Sequence, residues 1–460
     1  MPLTYDVRIY AIETRKGRPK PYRLRWLVGQ HRHSKSYAIK SQADGRRSEL
    51  MSALRRGEQF DEQTGLPASE LRAKLASITW YEHTRSYIDR KWASAPAKSR
   101  KNYADALATI TPALVTSTAG QPSPETLRRA LYGWAYNRNR WNEEPPRDVD
   151  RALRWLAEHS LPILELENPE VIRRALDALS RKLDGTPAAA RTVQRKRACL
   201  SDVLNLAVEK RYFSTPVNPL STVQWRPPKS VEEVDPESVP NPRQVRALLK
   251  GVREQGTRGR LLEAFFGCLY YAAMRPAEAA ALTRAQCHLP EHGWGILTLR
   301  QGVVRAGRGW TDDGQAHERR GLKARAEKDS RPVPIPPHFV RMLRRHLETY
   351  GTTPDNRLFR TNRGGLLQES GYGRVWARAR EAVLTPEEVA SPLARRPYDL
   401  RHAGVSLWLS SGVDPVECAR RAGHTVAVLF RVYAKVLTQA QEHANARIDA
   451  ALREWNEPTE

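Results

Sequence analysis

The stretch LLEAFFGCLYYAAMRPAEAAALT, residues 261–283, predicts two consecutive helices that are separated at one proline. Its first half is a long apolar run, which favours a buried helix over a strand. Arg275 follows this run, and Pro276 with Glu278 has the composition of the first turn of a new helix. On local grounds Arg275 either caps this junction and pairs with Glu278 or points toward an anionic ligand. The stretch therefore predicts a helical core in the C-terminal part of the chain.

Composition and apolar spacing divide the 460-residue chain into four segments. Residues 1–65 have the alternation of short strands followed by one helix, and residues 69–225 have the three- and four-residue apolar spacing of helices. Residues 226–242 combine five prolines with clustered acids and no apolar period, which indicates a linker. Residues 243–460 begin and end with helical patterns around a strand-rich part near 294–336. We therefore expect a small N-terminal β-sheet with one helix, an all-α middle domain and a C-terminal α+β domain.

The N-terminal segment is strongly basic. Its first 40 residues contain ten Lys or Arg and two Asp or Glu. The strands are predicted at 4–12, 21–29 and 33–40, followed by a helix at 41–56. A basic sheet of this size favours docking on phosphates, with Arg23 and Arg25 of the second strand as candidate DNA contacts.

The whole chain has the same charge bias. Its 76 Lys and Arg against 51 Asp and Glu give a formal net charge of +25 and a pI near 10.2. Such a field favours a polyanionic partner, nucleic acid above all, although a basic protein can simply be soluble. On the helical pattern RTVQRKRACLSDVLNLAVEKRYF, residues 191–213, the candidates for DNA contact are Arg191, Arg195 and Lys196. A solvated basic face is the competing interpretation of this helix.

Other classes of protein are disfavoured by the same sequence. The four cysteines are scattered and form no C-x-x-C pair, so the pattern predicts neither a zinc site nor a disulfide framework. His31 and His33 lack partners at metal-ligand spacing. No signal peptide is recognisable, and no apolar run approaches the ~20 residues of a membrane helix. We therefore expect no metal, no membrane association and a reducing, cytoplasmic setting.

Three further clusters in the C-terminal segment contain residues suited to phosphate chemistry. They are ERRGLKARAEKDSRPVPIPP (318–337), RRPYDLRHAGVSLWLSSG (395–412) and RRAGHTVAVLFRVYAKV (420–436). In the first, Lys323 and Lys328 are candidates to reach a ligand from a basic loop. Taken singly, each cluster also fits a solvated loop, a helix cap or a packed aromatic side chain.

Together and in this order, the clusters resemble the tyrosine recombinase, or phage integrase, family, in particular integrases of actinobacterial phages or integrative elements. The family motif R-x-x-E-x-x-x-L is matched by Arg275, Glu278 and Leu282. The family's hairpin lysine followed by R-x-V-P is matched by Lys323 or Lys328 and residues 331–334. The H-x-x-R motif falls on Tyr398 to Arg401, and the G-H pair with a tyrosine nine residues on is matched by Gly423, His424 and Tyr433. The resemblance covers most of the chain.

The resemblance implies DNA strand exchange that uses neither a metal nor another cofactor. Tyr433 would attack the scissile phosphate and form a 3′-phosphotyrosyl link, which the 5′-hydroxyl of a partner duplex then reverses. The resemblance also implies that Arg275 and Arg401 bind the non-bridging oxygens and that His424 hydrogen-bonds the phosphate. Lys323, or Lys328 in its place, would protonate the leaving 5′-oxygen. Glu278 would hold Arg275 in position.

One position departs from the family pattern. Tyr398 stands where the family has a histidine that is thought to accept the proton of the nucleophile or hold the site together. Phenols have a reference pKa near 10 and are poor bases at neutral pH, although they donate and accept hydrogen bonds. We therefore expect Tyr398 either to position the site or merely to pack, with the proton passing to water, DNA or His402.

The resemblance also implies partners. They are double-stranded DNA attachment sites, three further protomers in a homotetramer on paired sites, and an excision factor or a DNA-bending protein, at the nucleoid of a bacterial cell. The basic sheet resembles arm-site binding domains, the helical middle resembles core-binding domains, and the C-terminal segment resembles the catalytic domain. The stretch TQAQEHANARIDAALREW, residues 438–455, would contact a neighbouring protomer or fold back on its own domain. A type IB topoisomerase and a non-catalytic DNA-binding regulator on the same fold are the alternative functions.

Overall fold

The computed structural model describes residues 3–228, 233–322 and 329–439, together with 445, 446, 448–450, 452 and 453. The chain divides into two compact units, Met1–Ser230 and Val231–Glu460. Each unit contains both helices and β-strands, so the protein is a mixed α/β chain in which helices predominate.

The first unit begins with a small antiparallel sheet and one helix. Their bounds are β1 (Leu3–Thr4), β2 (Val7–Ile9), β3 (Glu13–Thr14), β4 (Tyr22–Val28), β5 (His31–Tyr37), α1 (Lys40–Arg55) and β6 (Phe60–Asp61). Strand β4 is central, because β2 and β3 pair with one of its edges and β5 pairs with the other along its full length. The predicted helix at 41–56 is confirmed by α1. The prediction of one strand over 4–12 is wrong: β1 pairs with β6, so the run is divided between two partners.

The two faces of this sheet differ in polarity. Leu24, Trp26 and Val28 point to one face and pack with α1 around Leu50 and Phe60. Because side chains alternate along a strand, the residues between them lie on the opposite, open face. Strand pairing gathers the arginines of that face, which are Arg8, Arg23, Arg25 and Arg32. The sheet therefore presents a basic face opposite its core.

Helices make up the rest of the first unit. They are α2 (Ala68–Ala76), α3 (Trp80–Trp92), α4 (Ala97–Ile110), α5 (Pro124–Ala130), α6 (Arg147–His159), α7 (Pro169–Leu179) and α8 (Ala190–Glu209). The apolar side predicted for α8 is confirmed, since Val193, Leu200 and Val203 are buried.

The second unit alternates helices with short strands. Its elements are α9 (Pro242–Arg253), α10 (Gly256–Tyr271), α11 (Pro276–Ala280), β7 (Cys287–His288), β8 (Gly295–Leu299), β9 (Gln301–Arg305), β10 (His317–Gly321), β11 (Arg331–Ile335), α12 (Pro337–Tyr350), α13 (Glu369–Val383), α14 (Pro386–Ala390), α15 (Asp399–Ser410), α16 (Pro415–Ala422) and α17 (Val426–Gln439). Strands β7, β8 and β11 form a three-stranded antiparallel sheet with β8 in the middle, while β9 and β10 form a separate hairpin.

Helix α10 is the centre of the second core. From Leu261 onward it is apolar except at Glu263, and Phe265, Phe266 and Leu269 have no exposed surface. It packs against α9, α12 and α15, and burial of side chains this large typically contributes about 1.5–3 kcal/mol each. The helix ends where Ala273 adopts a left-handed conformation with φ of 44°. That residue turns the chain toward Arg275.

The segment predicted as a linker, 226–242, is partly packed on the second unit. Val234 is only 7% exposed, and its N–H donates a 2.9 Å hydrogen bond to the carbonyl of Val432. Ala394 donates in the same way to the carbonyl of Ser238. Asn241 then caps α9, with Pro242 at its first position. Among the helices that the structure describes, none has the length and apolarity required to cross a bilayer.

Candidate active site

Arg275 lies at the junction between α10 and α11, where it caps α11 and pairs with Glu278. Its N–H and its guanidinium Nη1 donate to the two carboxylate oxygens of Glu278, at 2.9 and 2.8 Å. Its Nη2 donates to the carbonyl of Gly423 at 3.0 Å. The cap and the ion pair therefore hold a guanidinium whose outer edge meets the segment after α16.

Glu278 lies between two arginines. Arg331, the first residue of β11, donates through Nη2 to Glu278 Oε2 at 2.6 Å, and its side chain is 1% exposed. Burial by itself would raise the pKa of Glu278, but Arg331 and Arg275 outweigh burial and leave that pKa below its usual value. Burial lowers the pKa of Arg331 to about 10, so the guanidinium is still charged at neutral pH. Glu278 is thus a buried anion that fixes two cations.

Arg331 is part of the R-x-V-P motif, but the sequence did not predict a role for it. The signal for one was present, because Arg331 alternates with Val333 and Ile335 on the buried side of β11. An arginine at such a position requires an anionic or carbonyl partner. The partner itself is 53 residues earlier in the chain.

Arg401 is completely buried in the first turn of α15. Its Nη1 donates to the carbonyl of Ala273, and its Nη2 donates to the carbonyl of Ala422 at 2.6 Å. Burial, reinforced by the charge of Arg275, lowers the pKa of Arg401. The side chain is held by main-chain carbonyls, so its position is set by the ends of α10 and α16.

All three arginines donate hydrogen bonds to carbonyls at the C-terminal end of α16. The carbonyl of Ala422 accepts from Arg331 and Arg401, and the carbonyl of Gly423 accepts from Arg275. The last carbonyls of a helix lack partners within the helix and carry partial negative charge. This helix end therefore stabilises three neighbouring guanidiniums that would otherwise repel one another.

Gly423 has a left-handed conformation with φ of 65°, and a Cβ on it would lie 1.9 Å from Nη1 of Arg331. We expect Gly423→Ala to lower the free energy of unfolding by roughly 3 kcal/mol, because it adds backbone strain and displaces a buried ion pair. Gly314→Ala is the matched control, since Gly314 has φ of 67° and open space around it. Urea denaturation of the two variants measures the difference. Equal losses would contradict the steric argument.

His424 follows this glycine and lies against Arg401. Its Nε2 is 2.8 Å from Arg401 Nη2. Burial, together with Arg401 and Arg275, lowers the pKa of His424 to about 3, so the ring is neutral. Since guanidinium groups only donate, Nε2 accepts and Nδ1 carries the ring proton. Among the residues that the structure describes, Nδ1 has no hydrogen-bond partner although it is shielded from solvent.

Tyr433 lies at a kink in α17 and is 1% exposed. Its backbone has φ of −114° and ψ of 21°, outside the helical range, and the preceding carbonyl is the one that accepts from Val234. The hydroxyl Oη is 3.0 Å from Nδ1 of His402. Burial raises the pKa of Tyr433, and the charges of Arg401 and Arg275 oppose that increase. The phenol is therefore protonated, and both guanidiniums act on it electrostatically.

The structure brings most of the predicted site residues of the second unit together. They are Arg275, Glu278, Tyr398, Arg401, His402, His424 and Tyr433. Tyr398 is the N-cap of α15, and its ring meets the His402 ring edge-on at a centroid distance of 5.1 Å. Lys323 and Lys328 lie outside the described residues, and so does half of 438–455.

The predicted DNA contacts belong to the first unit, and one of them differs from the expectation. Arg25 and Arg191 are exposed, Arg23 is half-buried, and Arg195 pairs with Asp105 at 3.0 Å. Lys196 is only 8% exposed, and its ammonium donates to Thr109 Oγ1 at 2.8 Å. Burial lowers the pKa of Lys196, and Asp105 opposes the change. Lys196 is therefore buried and paired within the first unit, and the prediction that it contacts DNA from an exposed face is wrong.

Comparisons with known proteins agree with the ordered motifs. The chain is 27% identical over 132 residues to the integrase of Mycobacterium phage L5, covering 28% of this chain and 33% of that one. It is 29% identical over 170 residues to a phiRv2 prophage integrase of Mycobacterium tuberculosis, covering 36% and 40%. Over these segments the chain is similar to phage integrases. The aligned segments span less than half the length of these integrases, and no protein-family model matches the chain.

Solved structures of other integrases and recombinases give a broader likeness. A Tn1549 transposon integrase in complex with circular intermediate DNA has a TM-score of 0.46 and 17% identity, covering 67% of this chain and 96% of that one. The XerH site-specific recombinase bound to a palindromic difH substrate has a TM-score of 0.42 and 13% identity, covering 79% and 97%. These TM-scores are below 0.5, so the structures indicate a likeness alone.

Proposed function

We propose that this integrase-family chain is a site-specific DNA recombinase that cuts and rejoins strands through a 3′-phosphotyrosyl intermediate. The observation that carries the proposal is the arrangement around the end of α16, where Arg275 and Arg401 are fixed, Arg401 donates to His424, and the rings of His424 and Tyr433 lie 6.2 Å apart. A phenolic hydroxyl beside two fixed guanidiniums suits attack on a phosphodiester whose non-bridging oxygens need charge stabilisation. The buried, unpartnered Nδ1 of His424 would find its acceptor in a phosphate oxygen.

In this reaction Tyr433 Oη bonds to phosphorus while the bond to the 5′-oxygen breaks. The leaving oxygen takes a proton from Lys323, or from Lys328 in its place. The 5′-hydroxyl of the partner duplex later attacks the phosphotyrosyl bond and releases the phenol. The phosphodiester bond energy is kept in the covalent link, so the residues named need no metal to perform these steps.

We further propose the division of labour that the sequence predicted: an arm-type DNA-binding domain at 1–65, a core-binding domain at 69–225 and a catalytic domain at 243–460. DNA attachment sites are the proposed substrate, bound by four protomers on two duplexes, with an excision factor or DNA-bending protein as a further partner. The open arginine face of the first sheet supports the arm-binding role, because its charges lie on one surface in register.

The proposed arm-binding face predicts a salt-dependent loss of affinity in Arg25→Ala. Arg25 is exposed on this face, and it is one of four arginines there. Removal of one phosphate contact should weaken binding to arm-site DNA and reduce the slope of log Kd against log salt by about 1. The control is Arg56→Ala, which also removes one positive charge. Arg56 pairs with Glu58 and directly follows α1, the helix on the other face of the sheet. A fluorescence anisotropy titration at several salt concentrations would measure both, and equal slopes for the two variants would contradict the assignment.

A nicked suicide duplex that contains the attachment site tests the enzymatic proposal. Cleavage next to the nick releases a short oligonucleotide that carries the 5′-hydroxyl, and this oligonucleotide diffuses away. The phosphotyrosyl bond then cannot be reversed, and the covalent complex is visible on a denaturing gel. Absence of this complex under conditions where the protein binds the duplex would favour a non-catalytic DNA-binding regulator. Relaxation of supercoiled plasmid without exchange between two sites would favour type IB topoisomerase activity.

A further inference from the structure

Within the described part of the chain, only His402 forms a hydrogen bond with the hydroxyl of Tyr433. The two side chains come from α15 and α17, 31 residues apart in sequence. The Nδ1–Oη distance is 3.0 Å, within the range required for proton transfer between a side chain and a reacting group. The contact therefore involves the atom that attacks the phosphate in the proposed reaction.

The surroundings of His402 leave its ring neutral and able to accept a hydrogen bond. Burial lowers the pKa of His402 to about 4, and the adjacent charges of Arg401 and Arg396 act in the same direction. The imidazole is therefore neutral at pH 7, and one of its nitrogens accepts. Tyr433 is protonated, as argued above, so in the tautomer with the ring proton on Nε2 its O–H donates and Nδ1 accepts. His402 is thus in the protonation state of a base that is ready to receive the phenolic proton.

The other groups around Tyr433 are less suited to this role. Arg275 and Arg401 are donors only. His424 presents Nε2 to Arg401, which occupies its accepting nitrogen. Tyr398, four residues before His402 at the start of the same helix, meets the imidazole edge-on. A phenol at 398 thus braces the imidazole, and the imidazole contacts the nucleophile.

We propose that His402 is the general base of the cleavage step, in the place of the histidine that Tyr398 replaces. This inference rests on the proposed function and deepens it. As Tyr433 Oη forms its bond to phosphorus, its proton moves to His402 Nδ1, and the electron pair of the breaking P–O bond goes to the leaving 5′-oxygen. When the partner 5′-hydroxyl attacks, His402 returns the proton to the departing phenolate. No oxidant, metal or water is consumed.

The test compares single-turnover cleavage of the suicide duplex by wild type and by His402→Asn. Asparagine keeps a polar group near the position of Nδ1 but cannot take a proton at neutral pH. We expect cleavage to slow by roughly 10²–10⁴-fold, the usual contribution of a positioned base, with unchanged affinity for the duplex. His292→Asn, the same change at an exposed turn of the same unit, is the matched control and should cleave at the wild-type rate.

A second measurement separates proton transfer from mere support of the site. Replacing Tyr433 by 3,5-difluorotyrosine lowers the phenol pKa and reduces the need for a base. With tyrosine at 433, the protein with His402 cleaves faster than the His402→Asn variant by a certain ratio. With difluorotyrosine at 433, we expect this ratio to be at least tenfold smaller.

Two results would overturn the inference while the proposed function stands. One is cleavage by His402→Asn at the rate of an active wild type. The other is a rate ratio that stays the same with difluorotyrosine, because a structural role is indifferent to the phenol pKa. If wild type binds the duplex but forms no covalent complex, the proposed function itself fails, and the inference fails with it.

Discussion

Replacing Tyr433 by phenylalanine is expected to abolish the covalent protein–DNA complex and leave binding to the attachment site intact. The substitution removes only the nucleophilic oxygen, and the 1% exposed ring keeps its packing at the kink of α17. Phenylalanine has no oxygen with which to form the phosphotyrosyl bond, so trapping on the suicide duplex should fall below detection. A denaturing gel measures the complex, and an electrophoretic mobility shift measures binding.

Tyr398 provides the control for this experiment. Its ring also contacts His402, so Tyr398→Phe removes a hydroxyl from the same neighbourhood. The complex should persist in Tyr398→Phe and disappear in Tyr433→Phe. The opposite pattern would move the nucleophile to residue 398, and trapping by both variants would move it to another residue.

A second large effect is expected for Arg401→Lys. The guanidinium of Arg401 reaches the carbonyls of Ala273 and Ala422 and the ring of His424 at once. A lysine ammonium keeps the charge but lacks the planar fork that makes these bonds together and grips phosphate bidentately. Loss of one preorganised contact to the transition state typically costs about 10²–10³-fold, so we expect single-turnover cleavage to slow by about 10³-fold.

Arg395→Lys is the matched control for this loss. Arg395 is an exposed arginine of the same motif, six residues before Arg401. Its replacement should change the cleavage rate by less than about threefold, because exposed side chains away from a site contribute little. Similar rates for the two lysine variants would show that burial and carbonyl contacts do not distinguish Arg401.

Much of the secondary structure was predictable because it depends on neighbours in sequence. Strand alternation predicted β4 and β5, and the helix at 41–56 agrees with α1 within one residue. Pro276, Pro242 and Pro415 each lie at the first position of a helix, where a missing N–H costs nothing. The first strand failed because its partner, β6, lies more than 50 residues away and leaves no mark on the local pattern.

The candidate site was predictable as a set of residues but not as a set of contacts. Motif order and the nine-residue interval between His424 and Tyr433 are properties of the sequence. The pairing of Arg331 with Glu278 and the contact of His402 with Tyr433 join residues 53 and 31 positions apart. Lys196 illustrates the same limit, since its charge suggested a surface and Asp105 with Thr109 gave it an internal partner.

The sequence by itself determined the resemblance to integrases, the basic charge, several helix starts and the identity of the tyrosine, arginines and histidines that gather in the second unit. These follow from residue type, spacing and local backbone preference. Only the tertiary structure decided which of those groups touch, which of them are neutral and which donate. The reason is physical: burial and the convergence of three guanidiniums on the end of α16 depend on packing between elements distant in the chain. That packing puts a neutral His402 against the hydroxyl of Tyr433.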